Sequence, residues 1–198
     1  GYIKEQDAFG SSVVALPTAV PAFIGYTQSA DVDGNSLLFK PQKVKSLAEF
    51  REIYGVGNRT TFKVSNNDGD LSLEMDAPTR YMLYSSLRLF WANGGGECYI
   101  VSIGDYSETI DSEKMLQGLE LLTREQEPTI IVIPEAVLLT KDDCYSVYKA
   151  ILQHCGAKMK SRVGIVDVWG GYDPKTKAAA IKDFREGIGP NSLAYSPV

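Results

Sequence analysis

From Val20 the run Val20-Pro-Ala-Phe-Ile-Gly-Tyr26 carries no charge and is interrupted at Gly25, which predicts a short strand buried on both faces. Residues 1–15 read differently. They open with Tyr2-Ile-Lys-Glu5, pass through a polar stretch and lack that burial signal, so they are read as an extended arm. An exposed strand-forming terminus invites pairing with another chain. Leu47, Phe50 and Tyr54 then recur at helical spacing, with Ser46 placed to cap the helix and Gly55 and Gly57 placed to end it. Phe62 and Val64 alternate with polar residues before Asn66-Asn-Asp-Gly-Asp70, and Leu71, Leu73 and Met75 alternate after it. That pattern predicts a hairpin, an insertion or surface flap assigned to residues 58–76.

Beyond residue 78 helical and strand patterns alternate. Pro78 suits a helix start, Leu83, Leu87, Phe90 and Trp91 share one face, and Asn93-Gly-Gly-Gly96 stops the helix. A strand over 98–104, a helix buried through Met115, Leu119 and Leu122, and a strand over 129–133 follow. Next come a helix capped by Asp142 or Asp143 with Cys144, Val147, Ile151 and Cys155 on its inner face, and a strand over 162–168. A last helix opens at Pro174 with Ala178, Ile181, Phe184 and Ile188 inward, before a short strand over 192–195. Strands alternating with helices predict an α/β fold, a mostly parallel sheet covered by helices. The arm (1–15) and an α/β core (16–198) carrying the hairpin complete the organisation; no repeat of solenoid length or low-complexity linker divides it.

Composition narrows the function classes. With 198 residues, 44% of them hydrophobic, the chain can bury a substantial core. Twenty basic and twenty-five acidic residues leave a net charge of −5 without a Lys or Arg cluster, which argues against nucleic-acid binding. The longest apolar runs, Ile130–Ile133 and Ala136–Leu139, fall far short of the roughly 20 residues a membrane span needs. The expectation is a soluble, cytoplasmically made protein.

Candidate chemistry is sparse. Cys144 and Cys155 lie roughly 16 Å apart along one predicted helix and cannot bond to each other; with Cys98 they read as reduced, buried thiols. Gly94-Gly-Gly96 follows a helix and precedes a strand, the reverse of a phosphate cradle, and is read as a turn. Asp31, Asp33 and Asn35, like Asn66, Asp68 and Asp70, alternate as in a calcium loop, but the glycine and the twelfth residue are wrong, so both are read as Asx-rich turns. The single histidine, His154, adjoins Cys155, but neighbouring helical side chains diverge by about 100°, so it is expected to cap or pack. The most enzyme-like set is the carboxylates at strand ends, Asp105, Glu135, Asp167 and Asp173, where open α/β sheets bind ligands. Without an accompanying base, nucleophile or phosphate motif they are read as turn formers, a loop solvated by Glu135, and a cap or in-sheet pair for Asp167.

Tyr2-Ile-Lys-Glu5, Val20–Tyr26, Leu47–Gly55 and Leu89–Ile103, in that order, resemble segments of the contractile tail sheath proteins of phages and phage-tail-like injection particles. The resemblance implies a structural and mechanical subunit, not an enzyme, that polymerises helically around an inner tube and contracts to drive the tube through a target envelope. It implies an inter-subunit arm at Tyr2, Ile3, Lys4 and Glu5, and no catalytic, cofactor-binding or metal residues. The implied partners are neighbouring sheath subunits, the inner tube protein, and baseplate and terminal cap proteins, with neither direct nucleic-acid contact nor membrane insertion. The implied location is the bacterial cytoplasm during assembly, then a phage tail or released particle. A carboxy-terminal domain of the family is expected to lie outside these residues. The alternative is an α/β metal- or nucleotide-dependent enzyme using the strand-end carboxylates.

Overall fold

Pro21–Thr27 forms strand β1, and all seven of its residues are buried. The computed structural model describes residues 19–75 and 80–188, so the arm residues Tyr2–Glu5, the proposed start at Pro78 and the strand expected over 192–195 lie outside the described residues. After β1 a small hairpin, β2 (Asp31–Val32) and β3 (Asn35–Ser36), turns where Asp31 Oδ1 accepts the Gly34 amide at 2.9 Å, the Asx turn expected there. β4 (Gln42–Val44) follows, then helix α1 (Leu47–Tyr54). The Ser46 hydroxyl accepts the Glu49 amide at 3.2 Å while Glu49 Oε2 takes the Lys45 amide at 2.7 Å, so donors at the helix start are satisfied from both sides.

β5 (Phe62–Asn67) and β6 (Asp70–Met75) pair antiparallel about an Asx turn, in which Asn66 Oδ1 accepts the Gly69 amide at 2.9 Å. α2 (Leu83–Ala92) ends at Asn93, and Gly94, at φ 85°, takes the left-handed conformation that reverses the chain into β7 (Cys98–Asp105). α3 (Ser112–Leu121) tightens into a 3-10 turn at Leu122–Arg124; β8 (Ile130–Val132) leads through another at Pro134–Leu138 into α4 (Lys141–Gln153). A wider π turn, His154–Met159, closes α4 before β9 (Val163–Ile165) and α5 (Lys177–Ile188).

The main sheet has the order β4-β7-β1-β8-β9, with β7, β1, β8 and β9 parallel and β4 antiparallel on one edge. This is the mostly parallel α/β architecture. Alternation along the strands divides the core in two. Ala22, Ile24, Tyr26, Val101 and Ile131 pack against Met115 of α3 and Val147 and Ile151 of α4. On the opposite face Phe23, Val44, Cys98 and Ile100 meet Phe50 and Tyr54 of α1 and Leu83 and Leu87 of α2.

Several boundaries differ from expectation. The N-cap of α4 is Thr140, whose Oγ1 accepts the Asp143 amide at 3.3 Å, and not Asp142 or Asp143. The last helix starts at Lys177, after a turn in which the Asp173 carbonyl accepts the amides of Thr176 and Lys177. Its expected inner face is buried only at Ile188; Phe184 is half-buried and Ala178 exposed. β9 stops at Ile165, so Asp167 lies past the strand.

Candidate functional site

At the carboxyl ends of the parallel strands, where open α/β sheets receive ligands, the loops after β7, β8 and β9 enclose a cavity of about 560 Å³. Tyr81, Tyr106, Leu139 and Trp169 contribute its apolar walls, and Arg80 and Glu108 its charged rim. The aromatic groups are held by the backbone. Tyr81 Oη donates to the carbonyls of Tyr106 (3.0 Å) and Glu108 (2.5 Å), its ring lies 4.8 Å from that of Tyr106, and Trp169 Nε1 donates to the Leu139 carbonyl at 2.9 Å. Burial raises the Tyr106 phenol above its ordinary pKa, so it stays protonated at neutral pH. Glu108 is engaged by Lys114 and accepts the Asp105 amide. The cavity offers aromatic surface and hydrogen-bonding groups that already serve local turns.

Beneath this end of the sheet lies Glu135, which is fully buried; the expectation that it solvates a loop is overturned. Its Oε1 accepts the amides of Met82 (2.9 Å) and Leu83 (2.7 Å), the first donors of α2. Met82 has no side-chain oxygen and α2 has no cap of its own, so a residue more than fifty positions away supplies one. The partial positive charge of the helix start favours a carboxylate there. Desolvation opposes it more strongly and lifts the Glu135 pKa to about 7. Oε2 has no hydrogen-bond partner. Room for that oxygen comes from Gly25 in β1, where a Cβ would collide with Oε2 and stand 3.1 Å from Leu83 Cβ. The glycine that interrupts the apolar run is thus a site of close approach.

At the opposite end of the sheet Arg162 is buried, and among the described residues its hydrogen bonds go to two carbonyls and a histidine, not to a carboxylate. Its Nη1 donates to the Leu122 carbonyl at 2.7 Å and lies 2.9 Å from His154 Nε2, while Nη2 donates to the Glu125 carbonyl. These carbonyls end α3 and its 3-10 extension, where a cation meets the negative end of the helix. Facing a guanidinium, His154 Nε2 must accept, so the ring is neutral. Burial, with the Arg162 and Lys158 charges, holds its pKa down at about 4. His154 therefore packs and positions, as one of the two roles expected for it.

The remaining carboxylates stay apart. Asp105 Oδ1 accepts from the amide (2.7 Å) and hydroxyl (2.5 Å) of Ser107, which lowers its pKa, and Asp173 Oδ1 accepts the Lys175 amide at 2.9 Å. Both form turns, as read from the sequence. Asp167 neither caps a helix nor pairs within the sheet; it is exposed, and its amide donates to Tyr148 Oη at 3.3 Å. Among the described residues no three His, Cys, Asp or Glu side chains gather where one ion would touch them all. Cys98, Cys144 and Cys155 are buried free thiols, and desolvation pushes them to about 12, 11 and 11, so none is a thiolate at neutral pH. No helix among the described residues is long and apolar enough to cross a membrane.

Neither Arg162 nor the capping role of Glu135 was anticipated from the sequence. No local signal marked the second, because the helix expected from Pro78 has Asp76 and Thr79 beside its start in the sequence, whereas α2 begins at Leu83 behind Met82, which offers no capping oxygen. No protein-family model matches the chain, and no curated protein matches it.

Proposed function

We propose that this chain is a structural and mechanical subunit of a contractile sheath, assembling helically around an inner tube and shortening to drive it through a target envelope. The observation that carries the reading is the β5–β6 hairpin. Its register places Val64 opposite Leu73 and Asn66 opposite Leu71, with Phe62 on the same side, so four apolar side chains share one face with a single amide at the turn end. Phe62, Val64, Leu71 and Leu73 are 51–71% exposed. A two-stranded ribbon is marginal alone, and contiguous exposed apolar surface of this kind marks contact with another protein. Head-to-tail contacts that do not close generate helical filaments. Further support comes from the segments that carry the sheath resemblance: Phe23, Phe50, Phe90 and Trp91 come from three of them and share one aromatic cluster.

In this reading Tyr2–Glu5, outside the described residues, pair with a neighbour's sheet through main-chain hydrogen bonds. Such a tether lets rigid bodies rotate while subunits remain connected, and the work of contraction comes from the difference between two packings of the lattice. The inner tube, baseplate and cap proteins complete the assembly, first in the bacterial cytoplasm and then in the finished particle. Electron microscopy of the complete protein tests the proposal: hollow cylinders in long and short forms are expected, and Val64→Lys with Leu73→Lys should prevent them while circular dichroism stays unchanged. Monodisperse monomers at high concentration that bind a divalent cation or a nucleotide would overturn it in favour of an enzyme.

A further inference from the structure

The two faces of the main sheet are unequally covered. α3 and α4 cover one face, where Ile188 of α5 joins the same core, but on the other α1 and α2 lie over β4, β7 and β1, and among the described residues only Val132 of β8 and no residue of β9 packs against their cluster. A groove of about 460 Å³ remains beside α2, lined by Pro21, Leu89, Phe90, Ile130, Val132 and Ile165, with no charged residue among its walls. Ile165 is 55% and Leu89 67% exposed, and Val163 on the same side of β9 is also exposed. Such a surface on a parallel sheet is unusual, because parallel strands are normally covered on both faces.

We infer that Val13-Val-Ala-Leu16 of the same chain docks in this groove and completes the cover of the sheet. The described chain begins at Ala19, which is itself part of the groove wall. The chain there is pinned to β8: the Val20 amide donates to Thr129 Oγ1 at 3.0 Å, and the Val20 carbonyl accepts the Thr129 amide at 2.9 Å. Neighbouring strands lie about 4.8 Å apart, so β9 is roughly 10 Å from β1. Ile165 is level with Phe23, about 13 Å along the strand from Ala19, so the diagonal to it is roughly 16 Å, and six residues span up to about 20 Å, enough for the Val13 end of the segment to reach β9. The chemistry matches, since four consecutive apolar residues meet walls without charge. The other end of the described chain is badly placed to reach this groove, because α5 ends at Ile188, which is buried in the core on the opposite face with Tyr145.

This docking does not depend on the sheath reading. It divides the amino-terminal segment into an anchored part from Val13 and a free part before it, so the free arm would be residues 1–12.

Trapping by disulfide tests the inference in the full chain. With Val14→Cys and Ile165→Cys introduced together, mild oxidation should yield a disulfide within the monomer, in a proportion independent of protein concentration. Dimers or ladders that increase with concentration would place a neighbouring copy in the groove and overturn the inference, as would the absence of any cross-link between these positions. A second measurement uses truncations and an apolar dye. Removing residues 1–12 should leave anilinonaphthalene sulfonate fluorescence unchanged, whereas removing 1–18 should raise it several-fold, and a peptide of residues 10–18 should return it to the starting level. Equal fluorescence from the two truncations, or no response to the peptide, would refute docking.

Discussion

Glu135 and Arg162 are buried charges that solve the same problem at opposite helix poles. Glu135 receives the first amides of α2, and Arg162 donates to the last carbonyls around α3. Their difference lies in titration. Arg162 is lowered by burial from a value so high that it remains charged, whereas Glu135 is lifted from 4.5 to about 7 and changes state near neutrality. Each leaves one polar atom without a partner, Nε of Arg162 and Oε2 of Glu135, but the guanidinium spreads its charge over several donors and reaches three acceptors through Nη1 and Nη2, while the carboxylate binds through one oxygen alone. One pole is fixed at every accessible pH, and the other is conditional.

Removing Arg162 should break the fixed pole and have the largest effect. Arg162→Ala leaves two buried carbonyls and a cavity and is expected to cost about 3–5 kcal/mol in urea unfolding. Stability measured against pH sharpens the contrast. Between about pH 4.5 and 7 native Glu135 binds more protons than the unfolded chain does, so its contribution falls as pH rises, by roughly 3 kcal/mol over that window. His154 works the other way. Its native pKa lies near 4 against an ordinary 6.5, so its contribution is complete above pH 6.5 and is lost as pH falls towards 4. The two slopes oppose each other where they overlap. Glu135→Gln should therefore expose a profile that rises with pH, and His154→Gln one that falls; parallel profiles for both variants would contradict the assignment. Gly25→Ala, which forces a Cβ against Glu135 Oε2, should cost about 1–3 kcal/mol, and a double-mutant cycle with Glu135→Ala should show strong coupling. Ser46→Ala, the loss of an ordinary local cap, should cost only about 1 kcal/mol in the same assay.

What could be read beforehand follows the range of each interaction. β1, β7 and the hairpin announce themselves by apolar runs, alternation and turn residues, and α1 by Ser46 and Gly55, all within a few positions. β4 was not legible: Gln42-Lys43-Val44 is largely polar and becomes a strand because β7 offers it a free edge. The strand expected over 162–168 shrinks to three residues because β8, its partner, has only three to pair with. Ala178 follows the helical period but is exposed, since α5 meets α4 further along, where Phe184 sits against Tyr145 and Tyr148 and Lys141 pairs with Asp183. At the candidate site Asp105 and Asp173 were readable because their partners lie two residues away. The role of Glu135 was hidden because its burial and its partners are set by tertiary packing that no local window contains.

The position of β1 at the centre of the sheet also sets a timetable for the nascent chain. β1 leaves the ribosome before every other strand of its sheet, yet both its neighbours, β7 and β8, are translated far later; the contact from Val20 to Thr129 spans 109 residues. At about 5–20 residues per second, Pro21–Thr27 waits several seconds for partners. Closing such long loops is entropically costly, so the sheet forms late and as a unit. A ribosome stalled before Asp105 would present this apolar segment unpaired, as a client for a holding chaperone.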